Sequence, residues 1–93
     1  MRYTVCVSSF AERNVQSILK YLATQSARGA EQWFQRWCDA LILLAVTAGG
    51  CGLAPESADH PEAIRQMMFK TRRGRLYRAL FIVRGDQCLI LHV

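Results

Sequence analysis

The sequence predicts an α+β fold in the order β-α-α-β-β-β, with a helical hairpin packed on a small, mainly antiparallel sheet. Three observations predict it: a strand-like segment opens the chain, two amphipathic helical segments follow, and three short strand-like segments close it. Ninety-three residues suit one domain, so residues 1–93 are expected to form a single unit. The hydrophobic fraction of 52% is that of a globular protein and argues against intrinsic disorder.

The first half of the chain predicts one strand and two helices. Tyr3–Ser8 is rich in β-branched and aromatic residues, which favours a strand. Ser9-Phe10-Ala11-Glu12 has the form of a capping box with Ser9 as the N-cap, and a helix is expected to run to about Thr24. Ser26 is the expected N-cap of a second helix over Ala27–Thr47. The short link between the two helices predicts an antiparallel hairpin.

Apolar residues at helical spacing predict which side of each helix is buried. They are Phe10, Val15, Ile18, Leu19 and Leu22 in the first helix, and Trp33, Phe34, Trp37, Leu41 and Leu44 in the second. Trp33 and Trp37 lie four residues apart and are expected in the core rather than as anchors for a partner. The residues expected to be buried include Phe10, Leu22, Trp37, Leu41 and Phe81.

The second half predicts a surface loop followed by three strands. Ala48–Pro61 contains three glycines and both prolines, which is typical of a loop. Strands are expected at Ala63–Lys70, Leu76–Val83 and Cys88–Val93. The last two are apolar at nearly every position, which predicts that they lie in the centre of the sheet. The turn Arg84-Gly85-Asp86-Gln87 supplies the glycine that a positive φ requires.

One arginine interrupts the apolar strand Leu76–Val83. Side chains alternate between the faces of a strand, so Arg78 shares a face with Leu76, Leu80 and Ile82. A buried guanidinium without a partner is very costly, so Arg78 either pairs with a carboxylate or faces solvent or a ligand. Arg65, on the neighbouring strand, shares this face only if the strand register allows it.

The charge of the chain predicts an anionic partner. The net charge is +5, and arginine, which binds phosphate and carboxylate groups in a planar bidentate manner, far outnumbers lysine. Arg65, Arg72, Arg73, Arg75 and Arg78 are expected to form one basic surface, and Arg78 is expected to contribute most because apolar residues surround it. The alternative for Arg72, Arg73 and Arg75 is an ordinary solvated hairpin tip.

Other classes of site find little support in the residues. The four cysteines form no CxxC pair, and neither His60 nor His92 completes a zinc-site spacing, so no metal and no cofactor are expected. The cysteines instead suit small buried side chains in a reducing compartment. The longest apolar run, Ala40–Ala48, is too short to cross a bilayer, and Met1 leads directly into the first strand without a signal peptide. The cytoplasm is therefore the expected location.

Fragments over most of the chain resemble the RelE/ParE toxin superfamily of type II toxin–antitoxin systems. Their joint order and spacing carry the resemblance more than any single fragment. The fragments are Ser9-Phe10-Ala11-Glu12-Arg13, Ser26 through Trp33, Leu53-Ala54-Pro55-Glu56, Ile64-Arg65-Gln66, Arg73 through Phe81, Gly85-Asp86 and Leu91-His92-Val93. The resemblance implies a toxin that a cognate antitoxin neutralises.

The resemblance leaves the mechanism open between branches of the superfamily. In RelE-like toxins, basic residues on the open face of the sheet cleave mRNA on the ribosome, and the Arg of the family's Tyr-Arg strand motif maps onto Arg78. ParE-like toxins inhibit DNA gyrase and lack that nuclease set. The family's second basic segment follows the last strand, whereas this chain ends at Val93. This departure favours the ParE-like branch, which acts by binding. An mRNA endonuclease and a truncated, inactive interaction module remain the alternatives.

Overall fold

Two helices lie against one face of a four-stranded sheet in the computed structural model, which describes residues 2–93. The elements are β1 Thr4–Val7, α1 Ser9–Gln25, α2 Ala27–Thr47, β2 Arg65–Phe69, β3 Tyr77–Arg84 and β4 Gln87–His92. The α+β class and the order of elements are confirmed, and each strand ends within two residues of its predicted boundary. The expectation for Met1 lies outside the described residues.

The sheet is mixed, with the strand order β1-β4-β3-β2. β2, β3 and β4 form an antiparallel meander, and β1 pairs with β4 in parallel. The two apolar strands β3 and β4 therefore lie in the centre, as predicted. Gly85 has a φ of 61° at the first central position of the two-residue loop between β3 and β4, which is the pattern of a type II′ turn.

The N-cap of α1 differs from the prediction. Ser8, not Ser9, caps the helix, since its Oγ accepts a hydrogen bond from the amide of Ala11 at 3.1 Å. The reason lies in the sheet: the amide of Ser8 donates to the carbonyl of Ile90 in β4, which holds Ser8 extended and lets the helix begin one residue later. Ser26 caps α2 as predicted, accepting from the amide of Gly29 at 3.0 Å.

The main core lies between the helices and the sheet. Trp37 and Phe81 are buried as expected, and Trp33, Val15 and Leu44 join them. Leu22 and Leu41 are only partly buried. Phe10 and Phe34 were expected on the buried side, but the two side chains are 51% and 46% exposed.

The angular spacing of residues around a helix explains why Phe10 and Phe34 are exposed. Successive residues in a helix are separated by about 100°, so when one of two adjacent residues points to the centre of the core, the other is turned toward its edge or toward solvent. Ala11 and Trp33 are the residues that face the core, and they are buried. Phe10 instead stacks on His92, with ring centroids 5.5 Å apart. The hydrophobicity of Phe10 and Phe34 suggested burial, but their rotational position decides against it.

The opposite face of the sheet is covered in part by the segment between α2 and β2. This segment contains two short 3-10 helices, Ala48–Gly50 and Pro55–Asp59. A second apolar cluster forms where it meets the sheet, and its buried members are Ala54, Ile64, Leu80 and Ile82. The predicted loop thus acts as a cover, which explains why β3 is apolar on both faces.

The cysteines are less uniformly buried than expected. All four are free, but only Cys88 is buried; Cys38 and Cys51 are intermediate and Cys6 is exposed. Cys6 pairs with Leu89, which places it on the face away from the helices, on the edge strand β1. Burial, followed by the neighbouring thiols of Cys51 and Cys6, raises the pKa of the Cys88 thiol to about 11.

This difference predicts an order of thiol labelling. At about pH 8, iodoacetamide should modify Cys6 first and leave Cys88 unmodified, because the thiolate is the nucleophile and the Cys88 thiolate is both buried and disfavoured. Mass spectrometry of the folded protein at increasing times gives the order, and unfolding should make all four thiols reactive. Early labelling of Cys88, or a stoichiometric disulfide in freshly purified protein, would contradict the expectation.

Candidate binding surface

Arg78 lies on the sheet face away from the helices, among Leu80 and Ile82. Its guanidinium donates to both carboxylate oxygens of Glu56, with a distance of 2.9 Å from Nη1 to Oε1, and to Oε1 of Gln66 at 3.1 Å. The hydrogen bonds from Arg78 hold the pKa of Glu56 below its usual value of 4.5. Arg78 therefore pairs with a carboxylate, and this contact fastens the covering loop to the sheet, while 39% of the Arg78 side chain remains exposed.

Arg65 lies on the other face of the sheet. It pairs with Phe81 across β2 and β3, and directly opposed residues share a face, so it points toward the helix side. Its Nη1 donates to the backbone carbonyl of Cys51 at 2.6 Å. The shared face considered for Arg65 and Arg78 is thus not found, because the register separates the two side chains. Arg65 holds the start of the covering loop.

The three arginines of the turn between β2 and β3 are different. Arg72, Arg73 and Arg75 are all exposed, and none forms an ion pair with any residue in the described range 2–93. The amide of Gly74 donates to the carbonyl of Thr71, which closes the turn and presents the arginines on one tip. The expected basic surface of five arginines is therefore reduced to these three.

A second ion pair, which was not predicted from the sequence, fastens the other end of the loop. Arg84 donates from Nε and Nη2 to the two carboxylate oxygens of Glu62, at 2.9 and 2.6 Å. This contact raises the pKa of Arg84 and lowers that of Glu62. Both loop–strand pairs join residues 22 positions apart, a separation much longer than any helical or strand period, so no local pattern in the sequence could have suggested them.

A cavity of about 350 Å³ adjoins the arginine turn. It lies between the helical hairpin and the turn, with Trp33 and Tyr77 among its lining residues and Tyr21 exposed beside them. Trp33 and Tyr77 contact each other edge to face, with ring centroids 5.4 Å apart. Arg73 and Arg75 also line the cavity, whereas Arg72 does not. Cations and aromatic rings thus meet at one site.

Within residues 2–93, no group of three or more His, Cys, Asp or Glu residues is placed to hold a metal ion. His92 stacks on the exposed ring of Phe10, which fits a structural role. Over the same range, neither helix has the length and apolar character needed to cross a membrane. Within residues 2–93, the charged features beside the sheet are the two ion pairs of the loop and the unpaired arginines of the turn, and a further ion pair joins Arg36 and Asp39 on α2.

A scan against protein-family models and searches of the curated proteins and of the solved structures found no match to this chain.

Proposed function

We propose that this chain is a cytoplasmic toxin of the RelE/ParE type that works by binding its target, in the manner of the ParE-like branch, and is neutralised by an antitoxin with an acidic segment. The resemblance in the sequence suggests the family, and DNA gyrase is the candidate target. The observation that carries the proposal is the set of three exposed arginines, Arg72, Arg73 and Arg75, that no carboxylate among residues 2–93 neutralises.

The state of Arg78 favours binding over RNA cleavage. A nuclease of the RelE type needs several cations around one phosphate, so that they stabilise the charge that develops in the transition state. Here the guanidinium of Arg78 is already shared between Glu56 and Gln66. Ala54 and Ile64 of the covering segment pack beside Leu80 on the same face. A phosphate would have to displace a carboxylate and compete with a packed loop.

The turn arginines fit an acidic protein segment. Each exposed ion pair contributes little by itself, so the affinity must come from several contacts together with apolar neighbours. The cavity beside the turn supplies such neighbours in Leu22, Trp33 and Tyr77. Long-range attraction between opposite charges accelerates association, so binding should weaken as salt rises. In this arrangement the turn, rather than Arg78, contributes most to the contact with the antitoxin.

Induced expression in a bacterial host tests the proposal. We expect growth arrest, intact mRNA, and inhibition of supercoiling when the purified chain is added to gyrase. Relief of the arrest should require co-expression of the small acidic-tailed protein encoded by a neighbouring gene. Cleavage of ribosome-bound mRNA that Arg78→Ala abolishes would assign the nuclease function instead. If the protein is folded but its expression causes no growth arrest, the chain would instead be an inactive interaction module.

If the arginine turn binds the antitoxin, removing its charges should lower the affinity for the antitoxin. The triple variant Arg72→Gln, Arg73→Gln, Arg75→Gln should bind the acidic partner at least about tenfold more weakly, mainly through a slower association rate. Surface plasmon resonance at about 50 and 200 mM salt would measure both the affinity and its salt dependence.

Arg84→Gln is the matched control, because Arg84 is also exposed but is neutralised by Glu62. Thermal unfolding should show that both variants are folded, because the turn arginines have no ion-pair partner within residues 2–93 and an exposed ion pair such as Arg84–Glu62 contributes little to stability. An equal loss of affinity in the triple variant and in Arg84→Gln would place the binding surface elsewhere.

A further inference from the structure

The cavity beside the arginine turn has the size and lining of a small-molecule site. Its volume of about 350 Å³ lies within the range of about 300–1,000 Å³ that is typical of such sites. Trp33, Tyr77 and Leu22 supply apolar and aromatic surface, and Gln32 and Thr71 supply hydrogen-bonding groups at the same cavity. This combination of apolar walls with a few polar groups is the usual composition of a ligand pocket.

The electrostatics of the cavity favour an anion. Two arginines, Arg73 and Arg75, line it, and no acidic residue does. Gly29, in the first turn of α2, is also part of the lining, and that turn contains no acidic residue. The positive end of the α2 dipole therefore adds to the field of the two guanidiniums. A phosphate suits this position, because arginine binds its oxygens in a planar, bidentate manner.

The aromatic residues favour a planar ring in the same ligand. Tyr21 is 55% exposed although it lies on the amphipathic helix α1, so it contributes little to the core. It lines the cavity together with Tyr77, whose ring packs on Trp33. Stacking of a base on an aromatic side chain stabilises nucleotide complexes and does not depend on which base is present.

We propose that this cavity binds a small planar anion of the nucleoside monophosphate class. The phosphate lies against the guanidiniums of Arg73 and Arg75, and the base stacks on the tyrosines. Gln32 and Thr71 are within the lining and offer hydrogen bonds to the base or the sugar. This site is separate from the Arg78–Glu56 pair, but it shares Arg73 and Arg75 with the surface proposed for the acidic antitoxin segment, so the nucleotide and that segment would compete for it. The nucleotide is bound by the chain alone, and its binding can be tested without the antitoxin.

Titration of the purified chain with AMP, adenosine and inorganic phosphate tests the proposal. AMP should bind saturably below about 1 mM, and adenosine and phosphate each at least about tenfold more weakly, because each carries only one of the two recognition elements. The readout is the NMR shift of the Trp33 indole N–H, which is buried and has no hydrogen-bond acceptor among residues 2–93. Trp37 does not line the cavity but stacks on Trp33, so the backbone amides of β1, none of whose residues lines the cavity, serve as the internal reference.

Matched variants distinguish specific binding of AMP in the cavity from general attraction between AMP and a basic surface. Arg73→Gln with Arg75→Gln should weaken AMP binding at least about tenfold. Arg72→Gln, in the same turn but outside this cavity, should leave the affinity within about twofold. Tyr21→Ser should weaken AMP more than phosphate, and because Tyr21 is exposed the variant should fold normally.

Three results would overturn the assignment. They are the absence of saturable binding by AMP, GMP, CMP and UMP, an equal loss of affinity in Arg72→Gln and the double variant, and equally tight binding of an acidic peptide that has no aromatic residue. The last result would leave the cavity to the acidic antitoxin segment of the proposed function alone. Because these titrations contain neither antitoxin nor gyrase, their failure would leave the proposed toxin function untouched.

Discussion

Replacing Phe81 with alanine is expected to lower the free energy of unfolding by about 3–5 kcal/mol. Phe81 is fully buried in the central strand β3, in the core between the sheet and the helices. Its removal would leave a cavity that the surrounding aromatic and aliphatic side chains cannot fill, because interiors relax only partially around a deleted ring. Urea unfolding followed by tryptophan fluorescence would measure the change.

The control for this prediction is Phe10→Ala, which deletes the same side chain from the surface. Phe10 is half exposed and contacts His92 and Arg13, so the loss should be below about 1 kcal/mol. A loss of similar size in both variants would mean that the side of α1 facing the sheet has been assigned incorrectly.

Replacing Trp37 with alanine should be comparably destabilising, at about 3–5 kcal/mol. Trp37 is buried in α2 and stacks parallel to Trp33, with ring centroids 6.3 Å apart, and it also contacts Phe69 of β2 at 5.8 Å. The substitution therefore removes buried area and two aromatic contacts together. Trp33 remains as the fluorescent reporter, so the same unfolding measurement applies.

Phe34→Ala is the matched control on the same helix. Phe34 is adjacent to Trp33 but rotated away from the core, so its removal should cost less than about 1 kcal/mol. If Phe34→Ala destabilised the protein as much as Trp37→Ala, the buried stripe of α2 would run through the wrong residues. The two pairs of variants thus test the orientation of each helix independently.

The candidate surface was only partly predictable from the sequence. The concentration of Arg72, Arg73 and Arg75 in one turn is a local feature, and the structure keeps it intact. The grouping of Arg65 with Arg78 depended on strand register, where a shift of one residue moves a side chain to the opposite face. The observed register places Arg65 opposite Phe81, so Arg65 holds the start of the covering loop at Cys51 and Arg78 holds its middle at Glu56, from different faces of the sheet.

The cavity was not predictable either. Tyr21, Trp33, Arg73 and Tyr77 are scattered over more than 50 positions, and each has an ordinary local explanation as a helix, core, turn or strand residue. The fold brings them together because the helical hairpin places the start of α2 beside the turn that precedes β3. Proximity of this kind is a property of packing between layers and leaves no periodic signal in the chain.

By itself, the sequence determined the order of elements, the helical hairpin, the central position of β3 and β4, and the alternation that sets Arg78 apart from Tyr77. These follow from periodicity, turn chemistry and burial, which act over a few neighbouring residues. Only the tertiary structure decided the N-cap at Ser8, the exposure of Phe10 and the pairing of Arg78 with Glu56. Each of these depends on contacts between segments distant in the chain, whose geometry is set when the layers pack.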